Sequence, residues 1–268
     1  MKHIRGFINS EVLWTGNQFG LEQFEIPLID LQTFKTKPIP TNLRLGHQIE
    51  HIFTQLLHHC NEYELLAHSI QIKNGNDTIG ELDYLIQSAD ENQRTIHLEL
   101  SYKFYLLDPD ISEPIHRLVG PNRRDMFFTK LDKTKDKQLP LLFTDHSKRT
   151  LIGKGLPTEN IEQQVCFKAQ LFAPYGQKSP SIRPLNTNCI VGYWLRFSDF
   201  ENGDFKANRF YLPRKYEWLH NPHALVKFSS YFDTLMEINL QHLNERAPMV
   251  WMKKPDGTME KFFVVWWG

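Results

Sequence analysis

Two neighbouring segments, GELDYLI at residues 80–86 and HLELSYKFYL at 97–106, set carboxylates and a lysine into stretches that otherwise suit the core of a β-sheet. Side chains alternate across a strand, so Glu81 and Asp83 share one face of the first segment, and His97, Glu99, Ser101 and Lys103 share one face of the second. Leu82, Tyr84, Leu98, Leu100 and Tyr102 take the opposite faces. A half-exposed sheet with its charges in water gives the same alternation. Glu50 argues for more than that. It lies in the row Gly46, Glu50, Phe53, Leu57, on the margin of the apolar stripe of an amphipathic helix, and so is directed toward the sheet. Carboxylates gathered at the edge of a low-dielectric core repel one another and lose hydration. They persist there when protonated, paired with a cation or bound to a metal. A hard cation such as Mg²⁺ takes carboxylate oxygens and water, and Lys103 would add a second positive charge.

The elements that must hold these groups follow from periodicity and turn chemistry. Leu45, Ile49, Ile52, Phe53, Leu56 and Leu57 recur at helical spacing and predict a helix from Leu43 to about Cys60. Strands follow at residues 65–72, 78–86 and 95–107; Asn74-Gly75-Asn76-Asp77 turns the first into the second, and the three can form an antiparallel meander. Gly120-Pro121-Asn122 opens a predicted helix over residues 123–139, stopped by Pro140. Strand-like runs return at 165–172 and 190–197. Arg209 to Leu212, a helix around Tyr231 to Leu243 and a hairpin turning at Pro255-Asp256-Gly257 complete the chain. The expected organisation is a wrapping segment at residues 1–42, an α/β core at 43–173 with helices over a mixed sheet, and a C-terminal α+β extension at 174–268.

The order helix, three-stranded meander, helix, strand, with Glu50 on the first helix and the acidic pair on the second and third strands, resembles the core of the PD-(D/E)XK nuclease superfamily. More narrowly, GELDYLI with ELSYKFYL, followed by GPNRRD and KQLPL, resembles an uncharacterised bacterial family, the domain of unknown function 1853. The likeness covers roughly residues 43–173; FYLPRKYEWL and the final hairpin are typical of the narrower family alone. It implies a restriction-endonuclease-like fold and hydrolysis of DNA or RNA phosphodiester bonds. Asp83 and Glu99 would hold Mg²⁺ or Mn²⁺, Glu50 would complete or orient the metal shell, and Lys103 would position or deprotonate the attacking water. Gln138 would help to position substrate. The usual motif places its lysine two residues after the acidic one, where this chain has Ser101. Lys103 lies about 13 Å along a regular strand from Glu99, against about 6.6 Å for the usual spacing, so an inactive nuclease-fold module that binds nucleic acid or protein is the alternative.

Charge and composition narrow the partners. Lys plus Arg equal Asp plus Glu at 31 each, so any nucleic-acid footprint must be local. Between residues 117 and 137 seven basic side chains, among them Arg123, Arg124 and Lys130, face three acidic ones, which suits phosphate contacts or a solvated helix face. KANRFYLPRKYEW interleaves Lys206, Arg209, Arg214 and Lys215 with aromatic residues able to stack on unpaired bases. His47-Gln48-Ile49-Glu50-His51 matches the inverted zinc-peptidase pattern HxxEH, yet both histidines fall opposite the apolar stripe, where a catalytic zinc would be bare to solvent. Three widely spaced cysteines and no long apolar run lead us to expect a reduced, cytoplasmic protein without a membrane partner.

Overall fold

A computed structural model describes residues 1–177 and 181–267. In chain order the elements are α1 (Lys2–Ile8), β1 (Asn17–Gln18), β2 (Leu21–Glu22), α2 (Leu45–Leu57), β3 (Tyr63–Asn74), β4 (Asp77–Ser88), β5 (Thr95–Leu107) and β6 (Leu118–Val119). Then come α3 (Phe127–Lys133), α4 (Leu139–Leu141), α5 (Asp145–Gly153), β7 (Ile161–Pro174), β8 (Ile190–Arg196) and α6 (Phe197–Asn202). The last are β9 (Arg209–Tyr211), α7 (Tyr231–His242), β10 (Met249–Lys253) and β11 (Met259–Val265). This is a mixed α/β protein whose chain forms two compact units: a first, Val12–Tyr102 with Thr129–Lys168, and a second, Met1–Glu11 with Lys103–Phe128 and Ala169–Gly268. No helix among the described residues is long and apolar enough to cross a membrane.

In the first unit β3, β4 and β5 form the expected antiparallel meander. Helix α2 docks through Ile49, Ile52, Phe53 and Leu56, all buried. The Phe53 ring meets Phe24 and Tyr84 edge-on, at 6.2 and 5.0 Å between centroids. The Tyr84 hydroxyl donates to the Glu50 carbonyl at 2.9 Å and lies 3.2 Å from Thr54 Oγ1, so one tyrosine of β4 fixes both the height and the rotation of α2. Leu141, Leu142 and Leu151 of the later helical segments pack with Ile70, Ile72, Leu82 and Leu85. Gly80 permits this approach, since a Cβ there would lie 2.5 Å from Leu141 Cδ2. Leu82 and Tyr84 therefore meet different partners, and the strict alternation expected along β4 breaks at Asp83.

The helix expected over 123–139 is corrected at both ends. It begins at Phe127, because residues 120–125 close a tight turn in which the Gly120 N–H donates to the Asp125 carbonyl at 2.6 Å and Arg123 takes φ +54°. Pro121, Asn122 and Arg123 thus lie in a loop and not at a helix N-terminus. Nor does Pro140 stop the helix. A π turn, Thr134–Gln138, precedes it, with the Leu139 N–H reaching the Thr134 carbonyl, and the wider turn carries the chain past a residue that lacks an N–H. Helices α1 and α5 were not expected. α5 is capped by Thr144, whose Oγ1 accepts the Ser147 N–H at 3.2 Å.

The second unit contains β8 running parallel to β7 and β11, with β10 antiparallel to β11 and β9. Phe200, Phe210, Tyr231, Ile238, Val250 and Phe262 form its aromatic-rich core, closed by α6 and α7.

Replacing Phe53 by Ala deletes the ring that seats α2. Urea unfolding should show a loss of about 3–5 kcal/mol; a change below about 1 kcal/mol would mean that α2 is held by other contacts.

Candidate acidic site at the end of the β4–β5 ladder

The backbone ladder between β4 and β5 runs from Gln87 opposite Thr95 to Tyr84 opposite Leu98 and goes no further. Beyond that point the Leu100 N–H donates to Asp83 Oδ2 at 2.9 Å, so a side chain satisfies the donor that a strand carbonyl would otherwise take. Oδ1 of Asp83 accepts no hydrogen bond from any described residue.

Glu99, only 2 % exposed, is held from both sides. His97 Nε2 lies 3.1 Å from Oε1, and Gln138 Nε2 donates to Oε2. The Gln163 amide fixes the histidine's tautomer. Its Nε2 donates to the Leu139 carbonyl at 2.7 Å and lies 3.1 Å from His97 Nδ1, which must therefore accept, leaving Nε2–H to donate to Glu99. On the other side Lys130 Nζ donates to Gln138 Oε1 at 2.5 Å, and Thr134 Oγ1 lies 3.1 Å from the same oxygen. The π turn brings Thr134 and Gln138 together for this purpose; such turns are frequent at functional sites.

Charge is unbalanced here. Burial, then the neighbouring Glu99 charge, pushes the Asp83 carboxyl up to about 8, against the opposing pull of the Leu100 N–H and Lys130. Burial and then Glu50 raise Glu81. Glu50, Glu81, Asp83 and Glu99 thus feel one another, although among the described residues no three His, Cys, Asp or Glu side chains are grouped as a metal-binding cluster. Mg²⁺ needs only one or two carboxylates beside water and substrate oxygens, and a pair repelling each other at a partly buried position suits it in kind.

The remaining expected site residues are engaged elsewhere. Glu50 is half-exposed and pairs with His47 Nδ1 at 3.2 Å. In the second unit Lys103 Nζ meets Asp125 Oδ2 at 2.6 Å. Arg123 pairs with Asp108 at 2.5 Å and covers the Trp267 ring, and Arg124 pairs with Glu245 at 2.7 Å. The cation electrostatically linked to Asp83 is Lys130. Strand parity already set His97 on the face of Glu99; Gln163, 66 residues further on from His97, left no signal of that kind.

Fold and site together define a mixed α/β protein with an acidic, partly buried polar centre. The chain belongs to the family described as domain of unknown function (DUF1853), which matches residues 21–265. No curated protein and no solved structure matches it.

A carboxyl with a folded pKa above its unfolded value keeps its proton longer in the folded state. Its contribution is full below about pH 4 and is lost as pH rises toward about 8. Asn at position 83 keeps an acceptor for Leu100 and removes the titration. Relative to the parent, Asp83→Asn should gain on the order of a few kcal/mol of unfolding free energy between about pH 4.5 and 8.5. A difference that does not vary with pH would refute the raised carboxyl.

Proposed function

We propose that the first unit is a metal-dependent nuclease of PD-(D/E)XK type, hydrolysing phosphodiester bonds of DNA or RNA at Asp83 and Glu99. Its succession of α2, the β3–β4–β5 meander, the α3–α4 helical segment and β7 supports a restriction-endonuclease-like core. The observation that carries the reading is the Asp83 carboxyl, partly buried beside Glu99 with an open Oδ1 where the strands part. Asp83 and Glu99 would hold Mg²⁺ or Mn²⁺, with Glu50 and Glu81 as outer carboxylates. When bound, the cation would supply an acidified water and offset the charge of the phosphate.

The chain's own groups have separate tasks. His97 and Gln138 keep Glu99 in one rotamer, so its carboxylate need not reorganise during reaction. Lys130, held by Gln138, replaces Lys103 as the cation that stabilises charge growing on phosphate oxygens. For nucleic acid, further support comes from a cavity of about 670 Å³ in the second unit, where Arg214, Lys215, Lys227 and Arg246 surround Tyr211 and Trp218.

Two observations favour the second reading, an inactive module that binds nucleic acid or protein: both Glu99 oxygens already accept hydrogen bonds, and Lys103 is neutralised by Asp125.

Cleavage of labelled single- and double-stranded DNA and RNA with Mg²⁺ or Mn²⁺ separates the two. Asp83→Asn and Glu99→Gln should each lower the rate by about 100-fold or more, Lys130→Ala should approach that loss, and Lys103→Ala should stay within about threefold of the parent. Absence of cleavage on all four substrates, with the protein folded, would leave the binding module.

A further inference from the structure

The second unit holds a cavity of about 880 Å³ whose floor is laid by β7, β8, β10 and β11 through Gln170, Gly192, Trp251 and Lys261. Lys261 Nζ donates to Gln170 Oε1 at 2.6 Å and lies 5.4 Å from the centre of the Trp251 ring and 5.7 Å from that of Phe172. Burial pushes this ammonium down to about 8, and no carboxylate among the described residues pairs with it.

A partly buried cation without a counter-charge is relieved by an anion. Gly192 permits the close approach of β8 to β11, since a Cβ there would lie 2.1 Å from the Lys261 carbonyl oxygen and 3.1 Å from Phe172 Cδ1. The other charged or titratable groups lining the cavity are Lys2, Arg5, Glu11, His220, His223 and Glu260. Glu260 is already neutralised by Lys254 and accepts the Tyr193 hydroxyl at 2.9 Å. Lys2 and Arg5, both exposed on α1, have no carboxylate partner among the described residues. Set against the Glu11 carboxylate in the same lining, Lys2, Arg5 and Lys261 leave an excess of about two positive charges, which matches a dianion.

We infer that this cavity binds a phosphate group, either free or as the monoester head of a small molecule, with Lys261 as its partly buried counter-charge and Lys2 and Arg5 as outer contacts. No residue of the acidic site takes part, so the two assignments stand or fall separately.

Calorimetric titration of the full chain in EDTA at about pH 8.5, in two buffers of different ionisation enthalpy, tests this. The probes are sodium phosphate, adenosine 5′-monophosphate and sodium acetate. Phosphate or the nucleotide should bind saturably, more tightly than acetate, and with proton uptake, because an anion beside Lys261 restores its proton. Equal affinity for the first two assigns the site to phosphate alone, whereas tighter nucleotide binding assigns it to a monoester. Lys261→Gln should weaken binding by about tenfold or more. Arg5→Ala, on an exposed position, should weaken it several-fold and serves if Lys261→Gln does not fold, while Asp83→Asn should bind as the parent does. No saturation by about 10 mM of either phosphate probe, binding by Lys261→Gln equal to the parent, or preference for acetate would overturn the proposal.

Discussion

Where the β4–β5 ladder stops, the Leu100 N–H would be left without an acceptor were it not for Asp83 Oδ2. An unpaired buried donor costs about 1–3 kcal/mol, so the two strands can part there only if that carboxylate stays in place. The parting gives the site its form. It leaves Asp83 with one oxygen tied to the backbone and one open, and puts its charge beside Glu99, which is itself held by His97 and Gln138. Neutralising Asp83 would relieve the repulsion and keep the fold, whereas removing its oxygens would free the donor. The same side chain is thus a backbone acceptor and a group whose ionisation burial and Glu99 disfavour.

From Glu99 the constraint passes outward through hydrogen bonds whose directions are fixed by chemistry. Gln163 can only donate through Nε2, so His97 must accept at Nδ1 and donate at Nε2. Gln138 offers its amide to Glu99 and hence its carbonyl to Lys130 and Thr134. β5, β7 and the π turn are joined by a network in which each polar atom has a single sensible role. Such a network favours one arrangement over many, because a half-satisfied version would cost more than an apolar core.

How much of this was legible in the chain depended on the range of the interaction. The meander, α2, α7 and the final hairpin rest on local periodicity and turn residues, and they fall within a few residues of their expected bounds. The start of α3 was misplaced because GPNRRD reads equally as a helix opening and as a loop. A tertiary bridge between Val119 and Met126 decides for the loop. The extent of the helix past Pro140 rests on a π turn, for which sequence carries little signal. Within the site, strand parity placed Glu99 beside His97 correctly, but parity cannot tell which carboxylate will claim a lysine. Asp125, 22 residues after Lys103, takes that ammonium. Lys130, one of several cations on a mixed-charge stretch, became distinctive only once Gln138 turned it inward. The two compact units were illegible for a different reason: β5 and β7 each contribute residues to both, so no linker of unusual composition marks the division.

Among the described residues each unit contains a partly buried ionisable group whose own chain does not supply its full counter-charge, Asp83 in one and Lys261 in the other, and the sign of that group decides what can bind. Asp83 is driven toward its neutral form by burial and Glu99, and a cation reverses both causes at once. Lys261 is driven toward its neutral form by burial alone, and an anion reverses it. In both cases binding must move a proton: release from Asp83 when a cation binds, uptake by Lys261 when an anion binds. Structural ion pairs behave otherwise. Lys103 with Asp125 and Arg123 with Asp108 are already matched, so a ligand there would have to break a pair before it could form one. That difference ranks Asp83 and Lys261 above the more numerous exposed charges, which sequence composition alone cannot do.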